Sequence, residues 1–193
     1  MNLAAFLLAI TAVSATASML LIEPTPRLLW NASASVPPGL YLIRPARQPG
    51  AGDMVAIMPP PALARWMAER HYLPLHVPLL KKVGALPGQH VCRNGTRIHV
   101  DLRQVALALE HDRNGRQLPI WQGCRTVRNG EIFLLNAAST DSLDGRYFGP
   151  IRSVGLLGTA VPILTRAGPG ESFRWHSPTA RPTHGNAPGK GEK

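Results

Sequence analysis

The stretch VPLLKKVGALPGQHV, Val77 to Val91, decides how the chain folds. Leu79 to Val83 reads as a strand, bounded by Pro78 and Gly84, and Leu86-Pro87-Gly88 reads as a turn. Side chains alternate across a strand, so Lys81 and Lys82 point opposite ways, one to the interior and one to solvent. A lysine facing inward loses hydration, which disfavours its charge and draws its pKa from about 10.4 toward the 7–8 range of a general base. Such a shift of roughly 3 units costs about 4 kcal/mol, so a fold keeps it only for a purpose. The plainer alternative is a lysine pair on an exposed edge strand, guarding that edge against pairing with another chain.

Working outward, Leu40–Arg44, Met54–Met58, Arg97–Val100 and Ile132–Leu135 read as further short strands bounded by Gly, Pro or Asn. Pro61–Arg70 has helical spacing with proline at its start. The Asn114-Gly115 pair is the strongest local hairpin signal. Nineteen prolines and eighteen glycines in 193 residues argue against a helical bundle,. The expectation is therefore one mostly β domain, an antiparallel sheet or barrel with one or two short helices. From Arg166 the chain turns polar, Pro- and Gly-rich and mildly basic, so residues 166–193 are expected to be a disordered tail.

The N-terminus carries no charged side chain before Glu23, and the apolar run from Leu3 to Ile22 is 20 residues long. That length predicts an N-terminal transmembrane helix, residues 1–29 forming the anchor, with a cleaved secretory signal as the alternative. Arg27, Arg44 and Arg47 beyond it would hold the body in the cytoplasm by charge bias. The cysteines point the other way. With two of them, Cys92 and Cys124, and no Cys-x-x-Cys, the choices are two free thiols or one disulfide,. A bridge is the reading adopted, and it places the domain in an oxidising compartment such as a periplasm.

The formal net charge of +10 suits an anionic partner,. The basic residues are scattered singly, however, and no nucleic-acid-binding pattern organises them, so no nucleic acid is expected. His71, His76, His90, His99, His111, His176 and His184 lack metal-ligand spacing, and neither a metal nor another cofactor is expected. Asp53 reads as a strand-start residue. Asn31 and Asn94 each begin a glycosylation sequon.

An inward lysine has chemical value only beside a group that it can deprotonate. SASVPPGLY, Ser33 to Tyr41, offers two hydroxyls in a turn-prone segment. Together with LLKKVGALPGQHV and with STDSLDGRYFGPI, Ser139 to Ile151, it resembles the ordered boxes of the type I signal peptidase family of membrane-bound Ser/Lys peptidases. GDMV, Gly52 to Val55, is similar to the short strand box between the first two. The DGRYFGP wording resembles most closely the conjugative-transfer branch, the TraF peptidases that mature a pilin subunit.

The resemblance covers about Trp30 to Val161. It implies Ser35 as nucleophile, Lys81 as general base, and Ser33 with the Ser35 N–H as the oxyanion hole. Ser142 would orient the lysine, with Asp144 and Arg146 an ion pair behind the site. It further implies a peptidase domain over residues 30–165 with an inserted, Cys-bridged segment near 92–124. The substrate would be a pilin precursor, cleaved and in some cases cyclised, at the inner membrane among conjugation machinery, with the catalytic domain in the periplasm. Val36, where general signal peptidases carry Met, and LNAASTD in place of an Asn-Arg-Asp run depart from the housekeeping enzymes. The alternative implied is a non-catalytic assembly component on the same fold.

Overall fold

A computed structural model describes residues 2–20, 27–45, 48–168 and 170–177. In chain order the elements are α1 (Leu3–Leu20), β1 (Leu28–Asn31), β2 (Gly39–Arg44), β3 (Met54–Ile57), α2 (Pro61–Glu69), β4 (Leu79–Ala85) and β5 (His90–Asn94). They continue as β6 (Arg97–Val100), β7 (Arg103–Leu107), β8 (Gly123–Thr126), β9 (Glu131–Leu134), α3 (Gly145–Phe148), β10 (Ile151–Arg152), β11 (Leu156–Thr165) and β12 (Arg174–Trp175). The strands form a large curled sheet, ordered β1-β2-β11-β3-β4-β9-β10 with β12 against β11, and a smaller one ordered β7-β6-β5-β8. Neighbouring strands pair antiparallel throughout.

β4 lies between β3 and β9, and its pleat decides where the lysines go. Leu79, Lys81 and Val83 share one face, Lys81 opposite Val55 on β3, while Lys82 on the other face is exposed. Leu79 and Val83 pack with Val55, Ile57, Met67, Ile132 and Leu134, and α2 covers this cluster with Leu63, Trp66 and Met67. Pro61 starts α2 where a missing N–H costs nothing,. Behind β4 and β9 a second cluster, including Val91, Ile98, Trp121, Phe133 and Tyr147, joins the small sheet to the large one. Lys81 thus sits on a central strand under a helix, not on an edge.

Cys92 and Cys124 face each other on β5 and β8 and are bridged, 32 positions apart in sequence. Closing a loop of that length stabilises by about 3–4 kcal/mol in the chain-entropy model. Reduction is therefore expected to lower the urea midpoint by a corresponding amount, and Cys92→Ser with Cys124→Ser should reproduce the loss without reductant.

Three expectations need correction. The N-terminal run forms α1, but no helix among the described residues is long and apolar enough to cross a membrane, so the expected transmembrane helix is not found. Its 18 residues reach about 27 Å, short of a hydrocarbon core of about 30 Å; residues 21 and 22, the end of the apolar run, lie outside the described residues,. The tail does not begin at Arg166. Arg174–Trp175 pair with Leu164 and Thr165, and only from residue 178 does the expected disorder fall outside the described residues. The full hairpin signal is Asn94-Gly95, which joins β5 to β6 with Gly95 at φ 60°; Asn114-Gly115 turns a loop closed by a single bridge, His111 to Gln117.

Candidate active site

The segment between β1 and β2 carries Ser33 and Ser35, and two asparagines fix its path. From β1, Asn31 Nδ2 donates to the carbonyls of Ser33 at 2.9 Å and Val36 at 3.1 Å. Its Oδ1 accepts the Ser33 N–H at 3.0 Å and the Ser33 hydroxyl at 2.8 Å. Pro37 and Pro38 stiffen the return, and the buried Tyr41 hydroxyl, pushed up to about 12 by burial and so always a donor, holds the Pro37 carbonyl at 2.7 Å,. From the far side, Asn136 Nδ2 donates to the Ser35 carbonyl at 3.1 Å. The same amide accepts the Lys82 N–H at 2.8 Å, and the Asn136 N–H donates to Asp144 at 3.0 Å. Through its carboxamide and its backbone N–H, buried Asn136 therefore ties the serine loop, β4 and the segment before α3 together.

Lys81 arrives from β4 with only 4 % of its surface exposed. Its Nζ lies 3.1 Å from Ser35 Oγ and donates to Ser142 Oγ at 2.8 Å. Ser33 Oγ completes the group, 3.2 Å from Ser35 Oγ. Burial is the main reason that the Lys81 pKa falls from 10.5 to about 8; Asp144 pulls it back up and Arg146 pushes it down. A substantial fraction of this amine is accordingly neutral near pH 8, with a lone pair facing an alcohol.

Asp144 and Arg146 are both buried, at 3 % and 1 % exposure, and they interlock. The guanidinium grips both carboxylate oxygens at 2.9 Å. Its remaining donors reach the carbonyls of Ser139 at 2.6 Å, Ser142 at 3.2 Å and Asn136 at 3.3 Å. Arg146 thereby shapes the turn that presents Ser142 to Lys81. Arg93 on β5, also buried, braces the same turn through the Arg146 carbonyl at 2.7 Å.

The structure thus brings Ser33, Ser35, Lys81 and Ser142 together, sets Asp144 and Arg146 behind them, and keeps Cys92 and Cys124 on the small sheet. Asn136 was read only as part of a departure and Asn31 only as a sequon. An asparagine closing the apolar run EIFLLN had a signal, since an amide at a strand end inside a core must find partners. The group opens onto a cleft of about 540 Å³, lined by Leu79, Leu143 and Tyr147 among apolar residues and by Arg70, Asp112, Arg113, Arg116 and Asp141 among charged ones. Such a cleft admits an extended polypeptide to an activated hydroxyl.

The sequence relationships agree with this geometry. Residues 1–165 match the family described as signal peptidase, peptidase S26. The conjugal transfer protein TraF of Agrobacterium fabrum is 36 % identical over 147 residues, covering 70 % of this chain and 81 % of that one. A probable conjugal transfer protein TraF of Sinorhizobium fredii is 38 % identical over 148 residues, covering 71 % and 77 %. A plasmid transfer protein TraF of Escherichia coli is 29 % identical over 174 residues, covering 85 % and 91 %. Among solved structures, a signal peptidase I of Enterococcus faecalis aligns at 17 % identity and a TM-score of 0.35, covering 60 % of this chain and 98 % of that one, a likeness too distant to build on. From the family match and the TraF relatives together, the chain belongs to the signal peptidase family, peptidase S26, and to its TraF-like members.

Proposed function

We propose that this chain is a serine peptidase of conjugal transfer, in which Ser35 attacks the substrate carbonyl and Lys81 is the general base. The observation that carries the reading is the buried Lys81 amine 3.1 Å from Ser35 Oγ, its pKa drawn down to about 8. The neutral amine takes the Ser35 proton as Oγ bonds to the scissile carbonyl carbon, and the carbonyl electron pair becomes an oxyanion. Collapse expels the leaving amine, which takes the proton back from the Lys81 ammonium. Water then attacks the acyl-enzyme, Lys81 accepts its proton, and Ser35 is released with that proton returned.

The oxyanion is held by the Ser35 N–H, which has no other partner among the described residues, and by the Ser33 hydroxyl, which must turn from Asn31 to serve it. Each such donor is worth about 3–4 kcal/mol. The substrate is a polypeptide, a pilin precursor as the resemblance of the serine, lysine and DGRYFGP boxes implies. The Cys92–Cys124 bridge suits an oxidising compartment, so the domain works in the cell envelope outside the cytoplasm,.

Incubating the protein with a pilin precursor, and reading products by mass, tests this directly. It also separates transfer to water from transfer to the substrate's own amine, products that differ by one water. Because the base must be neutral, kcat/KM is expected to rise with pH and level off above about 8,. Ser142→Ala frees the amine from its orienting hydroxyl, and a drop of about 10- to 100-fold in kcat is expected at the plateau. An unshifted rate in that variant would remove Ser142 from the account.

A further inference from the structure

Besides the serines, the cleft is lined by residues at and just after the C-terminal end of α2 and by the loop after β7, and the charges there do not cancel. Arg70, Arg113 and Arg116 line the cleft against Asp112 and Asp141. Both acids are already committed. Asp112 accepts the Tyr72 hydroxyl and Arg116 Nε, the latter at 2.7 Å, as well as the Arg116 N–H at 2.8 Å; the Tyr72 bond is the largest cause of its lowered pKa. Asp141 pairs with Arg113 and accepts from Thr140. Arg116 is committed too, donating to the Arg70 carbonyl at 2.9 Å and stacking over the Tyr72 ring at 4.6 Å.

Arg70 remains. Its guanidinium lies 4.7 Å over the Trp66 ring, one helical turn back, and has no acidic partner among the described residues. Trp66 is itself wedged between Tyr72 at 5.4 Å and Phe148 at 5.6 Å, so the platform under the guanidinium is fixed. The guanidinium is therefore held in place before any ligand arrives, which is the condition for a strong charge-assisted hydrogen bond.

We infer that Arg70 is a specificity determinant that takes a carboxylate of the polypeptide in the cleft, either an acidic side chain or the chain's own C-terminus. The inference rests on the peptidase reading for its consequence but not for its binding step. A carboxylate bound there fixes the register of the substrate before the serine without touching the reacting atoms.

The test uses peptides built around an Ala-x-Ala junction. Glu, Gln or Lys is walked through the four positions on each side, and each peptide is made as C-terminal acid and as amide. Binding is measured to the Ser35→Ala protein and kcat/KM to the wild type. At one position Glu should outperform Gln by about 10-fold, expressed in KM rather than kcat, or the free acid should outperform the amide by as much, which names the source of the carboxylate. In Arg70→Gln that ratio should fall to about 1, while Arg70→Lys keeps part of it and Arg103→Gln, on the exposed face of β7, keeps all of it. A ratio near 1 everywhere in the wild type, or a preference that survives in Arg70→Gln, overturns the inference. Peptides that bind Ser35→Ala with the acid preference, yet are not cleaved by the wild type, would sink the peptidase reading and leave this one standing.

Discussion

Lys81→Met and Ser35→Ala are each expected to lower turnover of a cleavable precursor by about 10⁴-fold or more while leaving the fold intact. The Ser35 loop is gripped through its backbone, by Asn31 and Asn136, so removing one hydroxyl leaves those bonds in place. Lys81→Met keeps the volume of the side chain and removes a charge that burial disfavours. The lysine's folded pKa, about 8, lies below its unfolded value of 10.5. The unfolded chain therefore binds more protons between those two pH values, and stability rises with pH across that window, by about 3 kcal/mol at 1.36 kcal/mol per unit. Below pH 8 the full penalty is present. Lys81→Met should thus be inactive, more stable than the wild type at pH 7, and without the rise between pH 8 and 10.5. Denaturant unfolding at pH 7 and pH 10 checks the second half, and activity at either pH checks the first. A merely structural lysine would lose stability on substitution and keep its rate.

The second large effect concerns Arg146. Arg146→Met leaves Asp144 as a buried, unpaired carboxylate and strips donors from the carbonyls of Ser139, Ser142 and Asn136. Breaking a buried pair in this way costs about 3–5 kcal/mol. Arg146→Lys should recover little, since an ammonium cannot reproduce the fork that holds both oxygens of Asp144 at 2.9 Å,. Adding Asp144→Asn to Arg146→Met should recover part of the loss, because no charge is then stranded. Urea midpoints of the four proteins measure this. A single Arg146→Met variant within about 0.5 kcal/mol of the wild type would show that the pair does not hold the turn.

Those two expectations draw on residues that the sequence made readable to different degrees. Strand parity separated Lys81 from Lys82 but not which of them faces inward; that choice came from the resemblance of LLKKVGALPGQHV to the lysine box. β2, β3, β4, β6 and β9 were readable as short apolar runs bounded by Gly, Pro or Asn, and α2 by its helical spacing and its opening proline. β11, the longest strand, was not, since Gly158 and Pro162 read as breakers. Gly158 is there because a Cβ would meet the Arg44 carbonyl at 2.1 Å. Pro162 is tolerated because pairing with β3 ends at Thr159, so its missing N–H faces no neighbour on that side,.

β8, with Gly123 to Thr126 all exposed, and β12, two residues long, owe their existence to partners distant in sequence, which no local pattern carries. The N-terminal run is a different case: its composition resembled a span, while the helix described, Leu3–Leu20, is shorter than one. At the site, Ser35, Lys81, Ser142, Asp144 and Arg146 could be named from their boxes. Asn31 and Asn136 act through hydrogen bonds that only the folded chain creates.

The state of one amine decides the chemistry, and it can be watched directly. With lysine side chains labelled with carbon-13 at Cε, the Lys81 resonance, assigned by its absence in Lys81→Met, is followed by NMR from pH 6 to pH 11. An inflection near pH 8 is the expected result, because burial between β4 and α2 disfavours the charged form. An inflection at or above 10.5, the ordinary value for lysine, would mean an ammonium that stays protonated beside Ser35 and cannot take its proton.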